Sequence, residues 1–442
     1  MQETEQLLRD TSPLFTNDTV VFGLLMLTLG FVFYTSSSEN SFWKKFYKYI
    51  PALLMAYMLP GVLTTVGLIS PEWISITDSG EATEHTSQVY YIASRYMLPA
   101  ALVLLTLSID LKAVFNLGPK ALIMFLTGTV GVIIGGPLAV LLISMVSPET
   151  VGGVGPDAVW RGLATLAGSW IGGGANQAAM LEIYGYNTAN YASMVIVDIV
   201  VAEIWMAILI LGIGKSHKID KWLKADTTAI EELKEKVSSY TAKITRNPSL
   251  SDHMIILGIA FTIVGIAHFG ANNISDFLKE NFEAVRDKSS ALSSFGSQFF
   301  WMVTIATVLG ITLSFTKFRK YEGAGASKIG SVFIWILVAS IGMKMDLTKI
   351  VDNPGLIVVG LVWMAIHVAL LFLVAKIIRA PYFFLAVGSK ANIGGAASAP
   401  VVAAAFHPSL ATVGVLLAVF GYVVGTYGAM LCAELMKIAA VV

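Results

Sequence analysis

Cysteine is almost absent from this chain of 442 residues: Cys432 is the only one. It can form no internal disulfide, and in the last apolar run a lone thiol serves as a small packing group. Charge is scarce too, with Asp, Glu, Lys and Arg at 13% of residues against roughly 25% in soluble domains. Twenty-nine acidic groups balance 29 basic ones, and a neutral chain lacks the basic footprint of a nucleic-acid binder. The spacings HExxH, CxxC and GxSxG and a Gly-Lys-Ser/Thr phosphate loop are missing as well. Metal-dependent hydrolysis, serine hydrolysis and ATP-driven work therefore have no residues to carry them, and neither enzyme activity nor a cofactor is expected. No segments of about ten alternating residues are evident, which argues against a membrane β-barrel. The opening "MQETEQLLRDTSPLFTNDT" has no basic stretch before an apolar core and predicts no removable signal peptide.

What the chain has in excess is apolar sequence, 56% of residues. Runs near 20 residues predict an all-α polytopic membrane protein whose partner is the lipid bilayer, with lengths that suit a bacterial inner membrane. The runs lie near 18–35, 50–70, 91–109, 120–146, 158–183, 190–213, 254–271, 298–316, 329–345, 355–377, 381–405 and 409–437. Two connections are longer, 214–252 and 272–297. The first alternates charges at helical spacing and reads as an amphipathic linker between membrane repeats 1–213 and 253–442. The second, with "ISDFLKENFEAV", reads as an interfacial helix or a surface loop helix.

The two halves share landmarks in the same order. "LTLSIDLKAVFNLGPKALI" (105–123) matches "ASIGMKMDLTKIVDNPGLI" (339–357) in outline, and "IGGGANQA" (171–178) is answered by "IGGAASAP" (393–400). Charge orients them: Lys44, Lys45 and Lys48 mark 36–49 as cytoplasmic, whereas acidic 71–89 is external. Lys317, Arg319, Lys320, Lys376 and Arg379 mark two more cytoplasmic turns. Together these run the "SID" segment inward and "SIGMKMD" outward, as in inverted repeats. Six crossings per half would instead make the repeats parallel. One segment between about 146 and 297 is therefore expected to be re-entrant, giving an odd total with the N-terminus outside and the C-terminus inside.

The stretch "GSWIGGGANQAAM" (168–180) is the most informative. Consecutive glycines break a helix and bare its amides and carbonyls, which cost several kcal/mol each in hydrocarbon. Broken membrane helices survive where protein or a polar cavity surrounds them, and inverted-repeat transporters use them in pairs near mid-depth. The expectation is such a pair, in 158–183 and 381–405, with Gly173, Gly174, Gly394 and Gly395 at the breaks. The bland alternative is close helix packing through small residues. Asn176, Gln177 and Ser398 beside the breaks are read as oxygen donors to a cation, with Asp198 as its carboxylate; Asp198, Asn176 and Gln177 are the set that would hold a metal ion such as Na⁺. An intramembrane Asp costs about 3 kcal/mol, so Asp198 is read as a Na⁺ or proton site, or else as a structural pair with Lys390. Gly173, Gly174, Gly394 and Gly395, with Ser389, Lys390, Asn392 and Glu203, are the candidate substrate contacts, Glu203 lying on a different helix face from Asp198. His367 is read as a hydrogen-bonded packing residue, and Tyr422, Thr426 and Tyr427 as a polar stripe on the last helix.

"SKANIGGAASAPVVAAA" together with "GSWIGGGANQAAM" resembles the YjcL-like (DUF819-type) family of membrane proteins across most of the chain. More distantly, the paired breaks resemble those of sodium/bile-acid symporters and cation/proton antiporters. That resemblance implies an NhaA-type architecture: two crossed, discontinuous helices in a core that moves against a panel or dimerisation domain, and a homodimer. It also implies that Asn176, Gln177 and Ser398 lie near the crossing, with Asp198 on the helix behind. Electrogenic antiporters carry a carboxylate pair there, whereas this chain offers only Asp198. The expected function is secondary active transport by alternating access, a monovalent cation (Na⁺ or H⁺) driving symport of a small organic, plausibly anionic, solute. A cation/proton antiporter without organic substrate and a non-transporting membrane sensor or assembly factor are the rivals.

Overall fold

The computed structural model describes residues 11–76, 82–226, 228, 230, 247–286, 291–348, 353–407 and 410–440. Residues 227, 229 and 231–246 of the linker expected at 214–252 thus lie outside the described residues. The rest is an all-α membrane protein with one small hairpin of strands. The first half contains α1 (Asp18–Ser36), α2 (Ala52–Thr65), β1 (Glu72–Ile76), β2 (Ala82–Thr86), α3 (Val89–Leu107), α4 (Pro119–Ser144), α5 (Val159–Gly172), α6 (Gly174–Tyr184) and α7 (Tyr191–Ile213). The second contains α8 (Leu250–Asn281), α9 (Gln298–Ser314), α10 (Ala326–Met343), α11 (Gly355–Ile378), α12 (Tyr382–Asn392), α13 (Gly395–Phe406) and α14 (Ala411–Ala439). Among the described residues, eight helices are long and apolar enough to cross a bilayer, and up to ten if the bent pairs containing α2 and α9 each count as one span.

Local chemistry explains the main departures from expectation. The acidic segment 71–89 is not simply a loop, because β1 and β2 pair antiparallel with Trp73 opposite His85. The segment expected at 254–271 starts earlier and ends later. Ser249 and Asp252 form a capping box that begins α8 at Leu250, and the helix runs on through "ISDFLKEN". Its 32 residues span about 48 Å, more than the roughly 30 Å hydrocarbon thickness, so 272–281 carries the same helix on past the span instead of forming a separate one. In α3 a π-helical turn, Ala93–Met97, ends two residues before Pro99, whose ring nitrogen cannot donate to the preceding turn.

The two glycine breaks turn the chain round. A helix running from Trp160 to Tyr184 would separate them by about 36 Å. Instead their rings lie 5.5 Å apart, and Arg161 Nη1 donates to the Tyr184 carbonyl. A Cβ on Gly168 would stand 2.6 Å from the Asn176 carbonyl oxygen, so α5 and α6 are antiparallel arms joined at Gly173 (φ +78°). The second break does the same. Phe383 and Phe406, at opposite ends of the α12–α13 segment, have ring centroids 5.3 Å apart. The turn lies at Ile393 and Gly394 (φ +106°). The expected crossed helices, each continuing past its break, are thus corrected to two helical hairpins, 159–184 and 382–406.

Contacts between connections sort them onto two faces. On one, Asp110 pairs with Arg319 (3.1 Å), Lys120 with Asp226 (3.0 Å), and the Tyr382 amide donates to Asp220 (2.7 Å). On the other, Lys344 pairs with Glu72 (3.9 Å), the Asp346 amide donates to the Ala189 carbonyl (3.1 Å), and Lys437 lies over Trp160. Hairpin 159–184 has its base on the second face and hairpin 382–406 on the first. Neither hairpin crosses, which leaves five crossings in each half and removes the conflict between charge and count. The odd total with an inner C-terminus expected from sequence is corrected to an even one with both ends of the described chain on the same face: two re-entrant segments replace two crossings, not one. The basic connections 215–226 and 317–320 fall on one face and are cytoplasmic by the positive-inside rule.

This topology predicts that a reporter fused after Val442 sits on the same, outer face as Asn17, and one inserted between 226 and 247 on the inner face. Sided labelling of intact cells checks it; a C-terminal reporter on the linker's face would contradict ten crossings.

Candidate functional site

The hairpins meet tip to tip. A Cβ on Gly395 would lie 3.9 Å from Gly173 Cα, and both residues have positive φ. Small residues let the first hairpin's arms close: Gly168 and Gly172, one turn apart, face Asn176, and a Cβ on Gly172 would also press to 2.8 Å from Gly425 Cα on α14. At each tip one helix ends and another begins, and neither α6 nor α13 has a side-chain N-cap. Unsatisfied amides and carbonyls of four helix ends are thereby concentrated around one point.

Asp198, buried on α7, binds both arms of the first hairpin. Its Oδ2 accepts from Ser169 Oγ (2.7 Å) and Gln177 Nε2 (3.0 Å), and its Oδ1 from Trp170 Nε1 (2.6 Å). Burying a carboxylate costs several kcal/mol. Hydrogen bonds to a charged group return roughly 1.5–3 kcal/mol each, so three together are of the size that offsets burial. Lys390 is not the ion-pair partner allowed for at the outset: its Nζ donates to the Ala202 carbonyl at 3.1 Å.

The same face of α7 holds the second hairpin. Residues 198, 202 and 205 follow i, i+4, i+7 spacing and so line one side of the helix. Ala202 accepts from Lys390, and Trp205 Nε1 donates to Ser389 Oγ (2.8 Å). His367 Nδ1 lies 3.0 Å from the Gly128 carbonyl, which can only accept, so the Nδ1 proton is fixed there. Its Nε2 then accepts from the Ser389 hydroxyl at 2.8 Å. Trp205, Ser389, His367 and Gly128 form one buried chain of donors and acceptors, with His367 fully buried as a hydrogen-bonded residue.

The asparagines brace the tips. Asn176 Nδ2 donates to the Gly172 carbonyl (2.9 Å) and its Oδ1 accepts from Thr426 on α14 (2.6 Å). Asn392 Nδ2 donates to the Phe125 and Gly388 carbonyls (2.8 and 3.0 Å), and its Oδ1 accepts from Thr129 on α4 (2.8 Å). Among the candidates read from sequence, Asp198 and Gln177 are directly bonded. Asn176 neighbours them but faces α14. Ser389, Lys390, Asn392 and Ser398 belong to the second hairpin, and Glu203 lies on the exposed side of α7 in line with Val200 and Ile204. Ser169, Trp170, Trp205 and Thr129 were not singled out from sequence. A signal existed for the tryptophans: an indole N–H in an apolar interior needs an acceptor, and Asp198 and Ser389 were candidate acceptors.

The chain matches the family model described as "Protein of unknown function (DUF819)" over residues 23–439. It is also similar to the "Uncharacterized membrane protein YjcL" of Bacillus subtilis (strain 168), at 26% identity over 352 residues, which are 77% of this chain and 82% of that protein.

The packing at the tips makes a stability prediction. Gly168→Ala places a Cβ against the backbone of Asn176 and Gln177 and should destabilise by about 1–3 kcal/mol. Gly258→Ala, with open space around it on α8, should be neutral or gain up to about 1 kcal/mol. Denaturant unfolding in detergent compares the two; equal effects would contradict the antiparallel arms.

Proposed function

The chain belongs to the DUF819 family, and on that premise we propose that it is a secondary active transporter in which a monovalent cation drives symport of a small organic solute. The observation that carries this reading is the meeting of two re-entrant hairpins, entered from opposite faces, at uncapped helix ends. A backbone turn inside a bilayer is tolerated where protein or a watery chamber surrounds it, and transporters place such turns at the substrate. Each hairpin has its base on its own side of the membrane, so each can serve as the door to that side. Alternating access needs two such doors.

Asp198 is assigned to the coupling ion, Na⁺ or H⁺. It is the buried carboxylate that grips both arms of one hairpin while its helix grips the other. A cation bound there would exchange with the donors that now hold the carboxylate, and so alter the closure of the first hairpin. Gln177 and Ser169 supply further oxygens within the same contact shell. The bonds of Asn176 to Gly172 and Thr426 make it a brace of the tip instead of a free ion ligand.

Ligand that binds only the folded protein raises stability by mass action, about 2.7 kcal/mol at 100 times its Kd. Purified wild type should therefore melt higher in Na⁺ than in choline, or shift with pH if the proton is the coupling ion, and Asp198→Asn should abolish the response. The absence of both responses in wild type would refute cation coupling. Na⁺-driven proton movement in liposomes without any added solute would move the reading to an antiporter.

A further inference from the structure

The second hairpin contains a buried positive charge that the fold does not use up. Lys390 is 1% exposed, and a lysine ammonium has three N–H donors. One of them meets the Ala202 carbonyl. The carboxylates whose charge reaches it are Glu203 and Asp198, both on α7, and among the described residues no carboxylate lies within 4.0 Å of it. A buried ammonium without a bonded counter-ion is costly, and an ionisable side chain inside a membrane marks a substrate or ion path by default.

Three further features converge on the same point. A Cβ at Gly394 would lie 3.1 Å from Lys390 Cε and 3.3 Å from its Nζ, and would collide with Ser398 Oγ. The ammonium and the hydroxyl therefore border one position, the exposed Gly394, whose φ of +106° demands glycine. Ser398 Oγ is buried and has no hydrogen-bond partner, an uncommon state for a buried hydroxyl. The position also lies at the N-terminus of α13, twelve residues long and without a side-chain cap, where helix amides favour negative charge.

We propose that Lys390, Ser398 and the first-turn amides of α13 form a carboxylate seat, so that the transported solute is an organic anion held by the second hairpin. Lys390 supplies one ionic hydrogen bond to a carboxylate oxygen; the Ser398 hydroxyl and the helix amides take the other. This assigns Ser398 to the solute, not to the cation as its place beside a glycine break first suggests, and separates the two sites by hairpin: cation with Asp198 and the first, anion with Lys390 and the second. The proposal rests on the transport reading for the solute's passage and not for the seat itself.

The test uses the full chain in liposomes with Cys432→Ala, which removes the sole cysteine, and Ser398→Cys as a thiol reporter. Two methanethiosulfonates of similar size are compared, one carrying a sulfonate and the other a trimethylammonium group, with free 2-mercaptoethanol as the reference. The sulfonate-to-ammonium rate ratio at residue 398 should exceed that of the free thiol by at least about tenfold, as expected for a focused positive site. Lys390→Met should return it to the reference. A ratio at or below the reference, one unchanged by Lys390→Met, or no labelling by either reagent would overturn the seat. If Ser398→Cys does not fold, the melting temperature of wild type in acetate against chloride replaces it: a rise in acetate lost in Lys390→Met supports the seat, and no difference overturns it. The Na⁺ response of wild type is read separately. Anion preference without that response keeps the seat and removes cation coupling; the converse keeps coupling and removes the seat.

Discussion

A polypeptide that reverses inside a bilayer has no water to satisfy the carbonyls and amides at its turn, and the rest of this structure follows from that constraint. The turn at Gly173 is enclosed by α14, with Gly172 packed against Gly425, and by the opposing turn at Gly395. Each hairpin supplies part of the other's shelter. Small residues at 168, 172 and 425 bring backbones close enough for this, and the asparagine at each tip ties it to a long crossing helix through a threonine, Thr426 or Thr129. Local unfolding of one tip would expose the other.

Helix α7 links the two. Along one face it presents a carboxylate to the first hairpin and a carbonyl and an indole to the second, within two turns. A shift of α7 by one turn, or loss of the Asp198 contacts, acts on both hairpins together. Two hairpins braced on one rigid element are mechanically tied to each other, which is what the proposed coupling requires. The exposed side of the same helix, with Val200, Ile204 and Ile208, carries Glu203 away from Asp198.

Much of this was legible in the residues. Composition settles the membrane class, and "IGGGANQ" with "IGGAAS" locates both tips because glycine runs and amides are costly in hydrocarbon without a reason. Charge on the connections gives the sidedness of the basic turns and exposes one surplus segment, where the structure removes two and so moves the C-terminus to the other face. The direction of the chain after each break was not legible. A glycine with positive φ permits a straight continuation or a reversal equally well, and only contacts far apart in sequence, such as Trp160 with Tyr184 and Phe383 with Phe406, decide between them. Partner choice was hidden for the same reason: Asp198 and Lys390 look like an ion pair in sequence, yet donors from 169, 170 and 177 arrive first.

The reversal of both hairpins is therefore the claim to measure most directly. In a Cys432→Ala background, spin labels at Pro156 and Asn187, and separately at Arg379 and His407, report the distance across each hairpin base by pulsed electron resonance. The Asn187 amide bonds the Pro156 carbonyl at 2.9 Å, so both residues leave the membrane together. The account predicts separations well under half of the roughly 47 and 42 Å that the 31 and 28 residues between these pairs would span as continuous helix. A distance near that full span, at either base, would make the segment a crossing helix and contradict the account.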